Sequence, residues 1–206
     1  MHDMENFSEY FLELQTETGW GRMLASFACW CAPKPGQKVL DVGCGPGLLP
    51  SYFSKDGISA FGSDVDPEMF AHPLHPDVLI ADIIKMPFRE KSFDMITVSN
   101  LFYLLPDPFV AMQTIVRILK PEGQLCMLNP SEQMSLAAAE KLAVDSELVG
   151  VARESLLGYG QQAEECFRWS EDDLKKIFRD IGLTMTETTL KMGTGLVRYA
   201  KGVKKS

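Results

Sequence analysis

Apolar side chains recur at intervals of three and four through Phe7, Tyr10, Phe11 and Leu14, and again through Trp20, Met23, Leu24, Phe27 and Ala28. That spacing collects them on one face of a 3.6-residue turn, so it predicts two amphipathic helices divided near Thr18-Gly19. From Gln37 onward the rhythm changes. Short apolar runs bounded by glycine, proline or aspartate predict strands at 37–42, 58–63, 77–80, 93–98 and 123–129. Between them, helical periodicity falls at 47–54, at a very short segment near 67–70, and at 107–119. The prolines of Ala71-His-Pro-Leu-His-Pro76 cut off the second of these helices and leave that side of the sheet more open.

Residues 131–165 do not read as core strands. Leu136 to Val144 is strongly helical, and Leu148 to Leu157 forms a second helix before Gly158-Tyr-Gly160. Ser170 followed by Glu171-Asp-Asp173 caps a helix through about Arg179 that stops at Gly182. Two closing strands, about 183–191 and 195–203, turn around Gly193-Thr-Gly195. Strands alternating with helices imply right-handed crossovers and a mostly parallel sheet. The expected fold class is therefore α/β, a Rossmann-like three-layer sandwich with seven strands and a C-terminal antiparallel hairpin. Residues 1–36 form an N-terminal helical cap, 37–206 the main domain, and about 131–165 a helical insertion placed as a lid over the carboxyl ends of the strands.

Those carboxyl ends carry the chemistry. The run Lys38-Val-Leu-Asp-Val-Gly-Cys-Gly-Pro-Gly47 delivers a strand into a glycine turn and then a helix. Gly43, Gly45 and Gly47 permit positive φ and let a ligand approach the backbone amides. The third glycine comes one residue earlier than in the dinucleotide fingerprint, where this chain has Leu48, which argues against a nicotinamide cofactor. Asp41, two residues before the turn, would repel a pyrophosphate and suits a cationic nucleoside. Asp64 ends the second strand 21 residues after Gly43, the place at which such folds set a carboxylate on ribose hydroxyls; Asp66 is the second candidate.

Composition narrows the partners. The chain has 206 residues, 46% of them hydrophobic, enough for one domain with a substantial core. A net charge of −8 disfavours nucleic acid and favours a small-molecule acceptor. No apolar run is long enough for a membrane span, and Asp3 and Glu5 stand where a secretory signal would carry cations, so a cytoplasmic location is expected. Cys29, Cys31, Cys44, Cys126 and Cys166 read as buried thiols, and His2, His72 and His75 complete no ligand spacing, so no metal is expected. The basic run Lys201 to Lys205 reads as a solvated chain end.

Five segments in order resemble the class I S-adenosylmethionine-dependent methyltransferases, in particular the small-molecule branch of ubiquinone/menaquinone type. They are Val39 to Gly47, Gly62 to Met69, Ala81 to Phe88, Ser92 to Asn100 running on to Asp107, and Leu119 to Cys126. The resemblance implies S-adenosylmethionine as cofactor. It places the turn Gly43-Cys44-Gly45 with Gly47 along the methionine moiety, Asp41 near its amine, and Asp64 with Val65 at the ribose. Asp82 and the Ile83 amide would read the adenine edge, and Ser99-Asn100 would lie beneath the sulfonium. Tyr103 is placed toward the acceptor; Arg153 and Tyr159 of the insertion, as a pair suited to an anionic acceptor, and Trp20 of the cap are further acceptor candidates.

The implied reaction is in-line methyl transfer to a small organic acceptor, which demands alignment and exclusion of water more than a covalent catalyst. No general base stands out, and the catalytic residue is left open. Two other readings compete: a non-catalytic module that binds the same cofactor, and a nicotinamide-dependent oxidoreductase. Turnover tests the first and the glycine spacing opposes the second.

Overall fold

A computed structural model describes residues 7–55 and 57–205, with side chains from residue 8. The start of the expected cap, including His2, Asp3 and Glu5, and the side chain of Phe7 lie outside the described residues.

Two helices open the chain, α1 (Phe7–Glu17) and α2 (Gly19–Cys31). Thr18 separates them: its hydroxyl accepts the Trp20 N–H at 3.2 Å as the N-cap of α2 and donates to Leu14 O at 2.6 Å. A Cβ at Gly21 would stand 2.1 Å from Gln15 O, so only glycine lets the two helices meet this closely.

The sheet contains β1 (Lys38–Val42), β2 (Ser59–Asp64), β3 (Val78–Ile80), β4 (Phe93–Ser99), β5 (Leu119–Pro130), β6 (Leu183–Lys191) and β7 (Val197–Lys204). Their order is β3-β2-β1-β4-β5-β7-β6, parallel from β1 to β5, with β7 antiparallel to both neighbours. The helices are α3 (Leu48–Phe53), α4 (Pro108–Ile118), α5 (Leu136–Asp145), α6 (Gly150–Glu165) and α7 (Glu171–Asp180). Val39, Leu40, Ile96, Val98, Leu125 and Leu128 are buried in the central strands, as apolar runs between two helical layers require. Among the described residues no helix is long and apolar enough to cross a membrane.

Several expectations need correction. α6 does not stop before Gly158; it runs through Gly160 to Glu165. Gly160 serves helix contact instead of a turn, since a Cβ there would lie 2.8 Å from Ser135 O and from the Ala139 side chain of α5. β5 begins at Leu119, directly after α4, because Gly123 and Glu122 (φ +60°) let the strand bend without ending. The proline-rich stretch is itself anchored: Leu74 N–H bonds Pro46 O at 2.7 Å, His75 packs behind Gly47, and α1 contacts the 3-10 turn Pro67–Phe70. β3 beside it is not buried, and Val65, Ile80 and Ile84 are exposed, so that side of the sheet is open as expected.

The expected solvated tail is also anchored. Lys204 donates to Val116 O and Leu119 O, and Lys201 lies 4.5 Å from the Trp30 ring centroid while donating to Trp30 O. Of the five cysteines, Cys29 is exposed and Cys166 only half-buried.

The helical cap is continuous with the main core. Phe27 is fully buried, its ring centroid 4.9 Å from that of Tyr199, whose hydroxyl donates to Met23 O.

Candidate active site

The glycine turn after β1 is pinned to the end of β2. Gly43 N–H and Cys44 N–H both donate to Ser63 O, at 2.8 and 3.0 Å, and Gly45 N–H donates to Asp64 Oδ2 at 2.9 Å. Gly43, Gly45 and Gly47 have φ of +74°, +54° and +97°. A Cβ on Gly43 would come within 2.8 Å of Leu101, so the turn also needs its missing side chain for space.

A cavity of about 990 Å³ opens over this turn, at the carboxyl ends of β1, β2 and β4 and the loop after β3. Parallel sheets present their ligands at this edge. Of the predicted residues, Gly43, Gly45, Asp64, Val65, Asp82, Ile83, Ser99, Asn100, Tyr103, Tyr159 and Trp20 all line it. Asp64 Oδ1 also accepts the Asp66 N–H at 3.1 Å, and Asp82 Oδ1 accepts the Ile84 N–H at 3.0 Å. Both carboxylates are thus aimed by backbone amides. The second ribose candidate, Asp66, lines the cavity too, with its Oδ1 capping Glu68 N–H.

Asp41, Cys44, Gly47 and Arg153 do not line it. Asp41 is buried beneath the turn, where Thr97 donates to its Oδ1 at 2.7 Å and its Oδ2 has no partner. Burial pushes its carboxyl up to about 8, with the Thr97 hydrogen bond opposing and the nearby Asp64 charge adding. The Cys44 thiol packs against Gly62, at which a Cβ would stand 2.7 Å from its sulfur, and burial drives its pKa upward. Gly47 is the left-handed N-cap of α3 and backs onto His75. Arg153 is exposed on α6. His75 is structural: its Nδ1 accepts the Asp77 N–H and its Nε2 lies 2.5 Å from Ser54 Oγ.

The opposite wall is aromatic. Tyr159 of α6 donates to Asn100 Oδ1 at 2.6 Å, joining the insertion to the end of β4. Asn100 itself has φ +54°, a conformation asparagine tolerates better than most residues. Trp20 Nε1 donates to Ser155 Oγ at 3.1 Å, and the Trp20 and Tyr103 rings meet Tyr159 at centroid distances of 5.0 and 5.6 Å. Burial raises the pKa of Tyr159 and Tyr103, which keeps both phenols protonated.

Sequence reasoning missed part of the lining, Gln15 from α1 and Glu154, Gln161, Gln162 and Glu165 from α6; Tyr10 and Phe11 of the apolar cap face line it as well. Gln15 carries the one legible signal, an amide four residues after Phe11 on an apolar face. Its Oε1 is buried without a partner, and its Nε2 lies 3.3 Å from where a Gly45 Cβ would sit. A second pocket of about 400 Å³, between α2, α5, α6 and the β6–β7 turn, shares Trp20 as a wall.

Residues 40–127 match a family model described as a methyltransferase domain. A demethylmenaquinone methyltransferase of Corynebacterium kroppenstedtii is 35% identical over 95 residues, 45% of this chain and 42% of that protein. The match thus spans less than half of that curated relative. A ubiquinone/menaquinone biosynthesis C-methyltransferase of Cereibacter sphaeroides is 26% identical over 190 residues, covering 82% of this chain and 71% of that protein.

Among solved structures, a chain of the complex between the Haloferax volcanii Trm112 methyltransferase activator and a putative methyltransferase superposes with a TM-score of 0.69. It is 21% identical, and the match covers 99% of this chain and 100% of that one. The magnesium protoporphyrin IX methyltransferase of Synechocystis, solved with bound SAH, gives a TM-score of 0.65 at 17% identity over 91% of this chain and 84% of that one.

Proposed function

We propose that the chain is a class I S-adenosylmethionine-dependent methyltransferase that transfers a methyl group from S-adenosylmethionine to a small organic acceptor held beneath α6. The observation that carries this reading is convergence: Gly43, Gly45, Asp64, Asp82 and Asn100, from four separate strand ends, all face one cavity. The donor set fits that cofactor. Asp64 is placed to accept ribose hydroxyls, Asp82 to accept an exocyclic amine, and the partnerless Gln15 Oε1 offers a further acceptor beside the turn.

When bound, S-adenosylmethionine supplies an electrophilic methyl on a sulfonium that leaves as a neutral thioether. The chain's own task is placement and exclusion of water. Asn100, held by Tyr159, and Ser99 form the floor on which the reacting atoms align, while α1, Trp20 and α6 cover the cavity from above. No nucleophile is required of the protein. Nucleic acid is not a proposed acceptor, since no lysine or arginine is among the described lining residues.

Calorimetry with S-adenosylmethionine and with NADH tests the proposal. Micromolar binding of the first and none of the second is expected; NADH binding alone would reject it. Incubating protein and donor with cell extract should yield products heavier by one methyl group, and their absence with intact donor binding would indicate a non-catalytic module.

A further inference from the structure

The charge of the cavity is one-sided. Asp64, Asp66 and Asp82 lie at its sheet edge and Glu154 and Glu165 on α6, with no lysine, arginine or histidine among the described lining residues. The aspartates each hold backbone amides. The two glutamates hold no hydrogen bond or ion pair among the described residues, so their charges are uncommitted. Beside them Trp20, Tyr159 and Tyr103 form an aromatic corner in which successive rings meet at 71° and 77°. Tyr10 of α1 closes the side nearest Glu154, whose charge, after burial, helps raise the Tyr10 pKa.

Near-perpendicular rings next to free carboxylates are the recognition elements of an organic cation, which gains from ring quadrupoles and from carboxylates together. An anionic acceptor would meet Glu154 and Glu165 with no protein cation among the described lining residues to offset them, since Arg153 is exposed and outside the lining.

Resting on the methyl-transfer reading above, we propose that the acceptor is an organic amine, gathered as its ammonium form by Glu154, Glu165 and the Trp20–Tyr159–Tyr103 corner. Loss of a proton to a lining carboxylate frees the nitrogen lone pair. That nitrogen then forms the new C–N bond as the methyl C–S bond breaks, and the electron pair of the broken bond stays on sulfur. The methylated ammonium product carries the positive charge that the sulfonium gave up.

The test uses the whole chain and two probes of matched shape, benzyltrimethylammonium and phenylacetate, titrated by calorimetry in the presence of S-adenosylhomocysteine. The ammonium probe should bind and the carboxylate should not. A Glu154→Gln/Glu165→Gln double variant, altered only at exposed positions, should bind the ammonium probe at least tenfold more weakly while keeping its affinity for S-adenosylmethionine within about twofold. A panel of amines should be methylated in preference to phenols, quinols and carboxylic acids.

Equal or tighter phenylacetate binding, no ammonium binding, unchanged affinity in the double variant, or methylation confined to oxygen or carbon acceptors would each overturn the amine assignment. Donor binding that persists through such a failure leaves the methyl-transfer reading standing. Failure of the wild-type protein to bind donor removes the parent reading and this one together.

Discussion

Asp64 illustrates how one side chain serves two purposes. Its oxygens hold the amides of Gly45 and Asp66 while the carboxylate faces the cavity, so its removal loosens the turn as well as deleting the proposed ribose contact. Asp64→Ala is expected to weaken S-adenosylmethionine binding by about 1.5–3 kcal/mol, the scale of hydrogen bonds to charged groups, as read by calorimetry. Gly45→Val meets a different obstacle. A non-glycine residue at φ +54° costs about 1–2 kcal/mol of backbone strain, and its branched side chain would push into Gln15 and the ligand cradle. A folded protein by circular dichroism with no measurable donor binding is the expected result.

Asp41 makes a prediction about pH. In the folded protein its carboxyl holds its proton up to about 8, chiefly because it is buried, whereas in the unfolded chain it ionises near ~3.9. The folded state therefore binds more protons between those values, and the stability contributed by this group falls as pH rises from about 4 to about 8, then levels off. Asp41→Asn cannot ionise, so it should raise the melting temperature clearly at pH 8 and little at pH 4.5; an equal change at both would refute the buried protonated acid. The aspartates at strand ends were legible because glycine spacing and chain order mark them. The burial of Asp41 was not, since the same motif letter serves a lining residue or a buried one and only packing against Thr97 decides.

At the scale of elements, apolar periodicity placed most helices and strands within a few residues. It failed where glycine had a tertiary use. Gly158 and Gly160 read as a break, yet the helix continues because Gly160 lets α5 and α6 approach and no partner demands a turn there. The contribution of α1 was only half legible, because its amphipathic face allows either packing on the sheet or closure over a cavity and does not decide between them. Caps were more readable. Ser170 and Asp173 form a reciprocal capping box at the start of α7, remote from the cavity. Ser170→Ala should cost about 1 kcal/mol of stability by thermal or urea unfolding and leave donor affinity unchanged. A change in affinity would mean that α7 is coupled to the site.

For the whole molecule, one of the ties between the insertion and the sheet joins opposite charges. Arg198 of β7 is buried and donates to both oxygens of Glu132, at 2.8 and 3.1 Å, just where β5 gives way to the insertion. Among the described residues, Glu132→Ala would leave that guanidinium with only Thr188 and a distant Glu171. The expected loss is about 2–3 kcal/mol, somewhat below the scale of a fully buried pair because Glu132 remains partly in water. Equilibrium unfolding of Glu132→Ala and Glu132→Gln checks it, the glutamine being the milder change.

Trp20 has a consequence at the same scale. Its indole is the partition between the 990 Å³ cavity and the 400 Å³ pocket beside α5. Trimming that partition to alanine would join two rooms into a corridor, and on the proposed methyl-transfer reading elongated acceptors would then enter, their tails threading past α2 toward the far pocket.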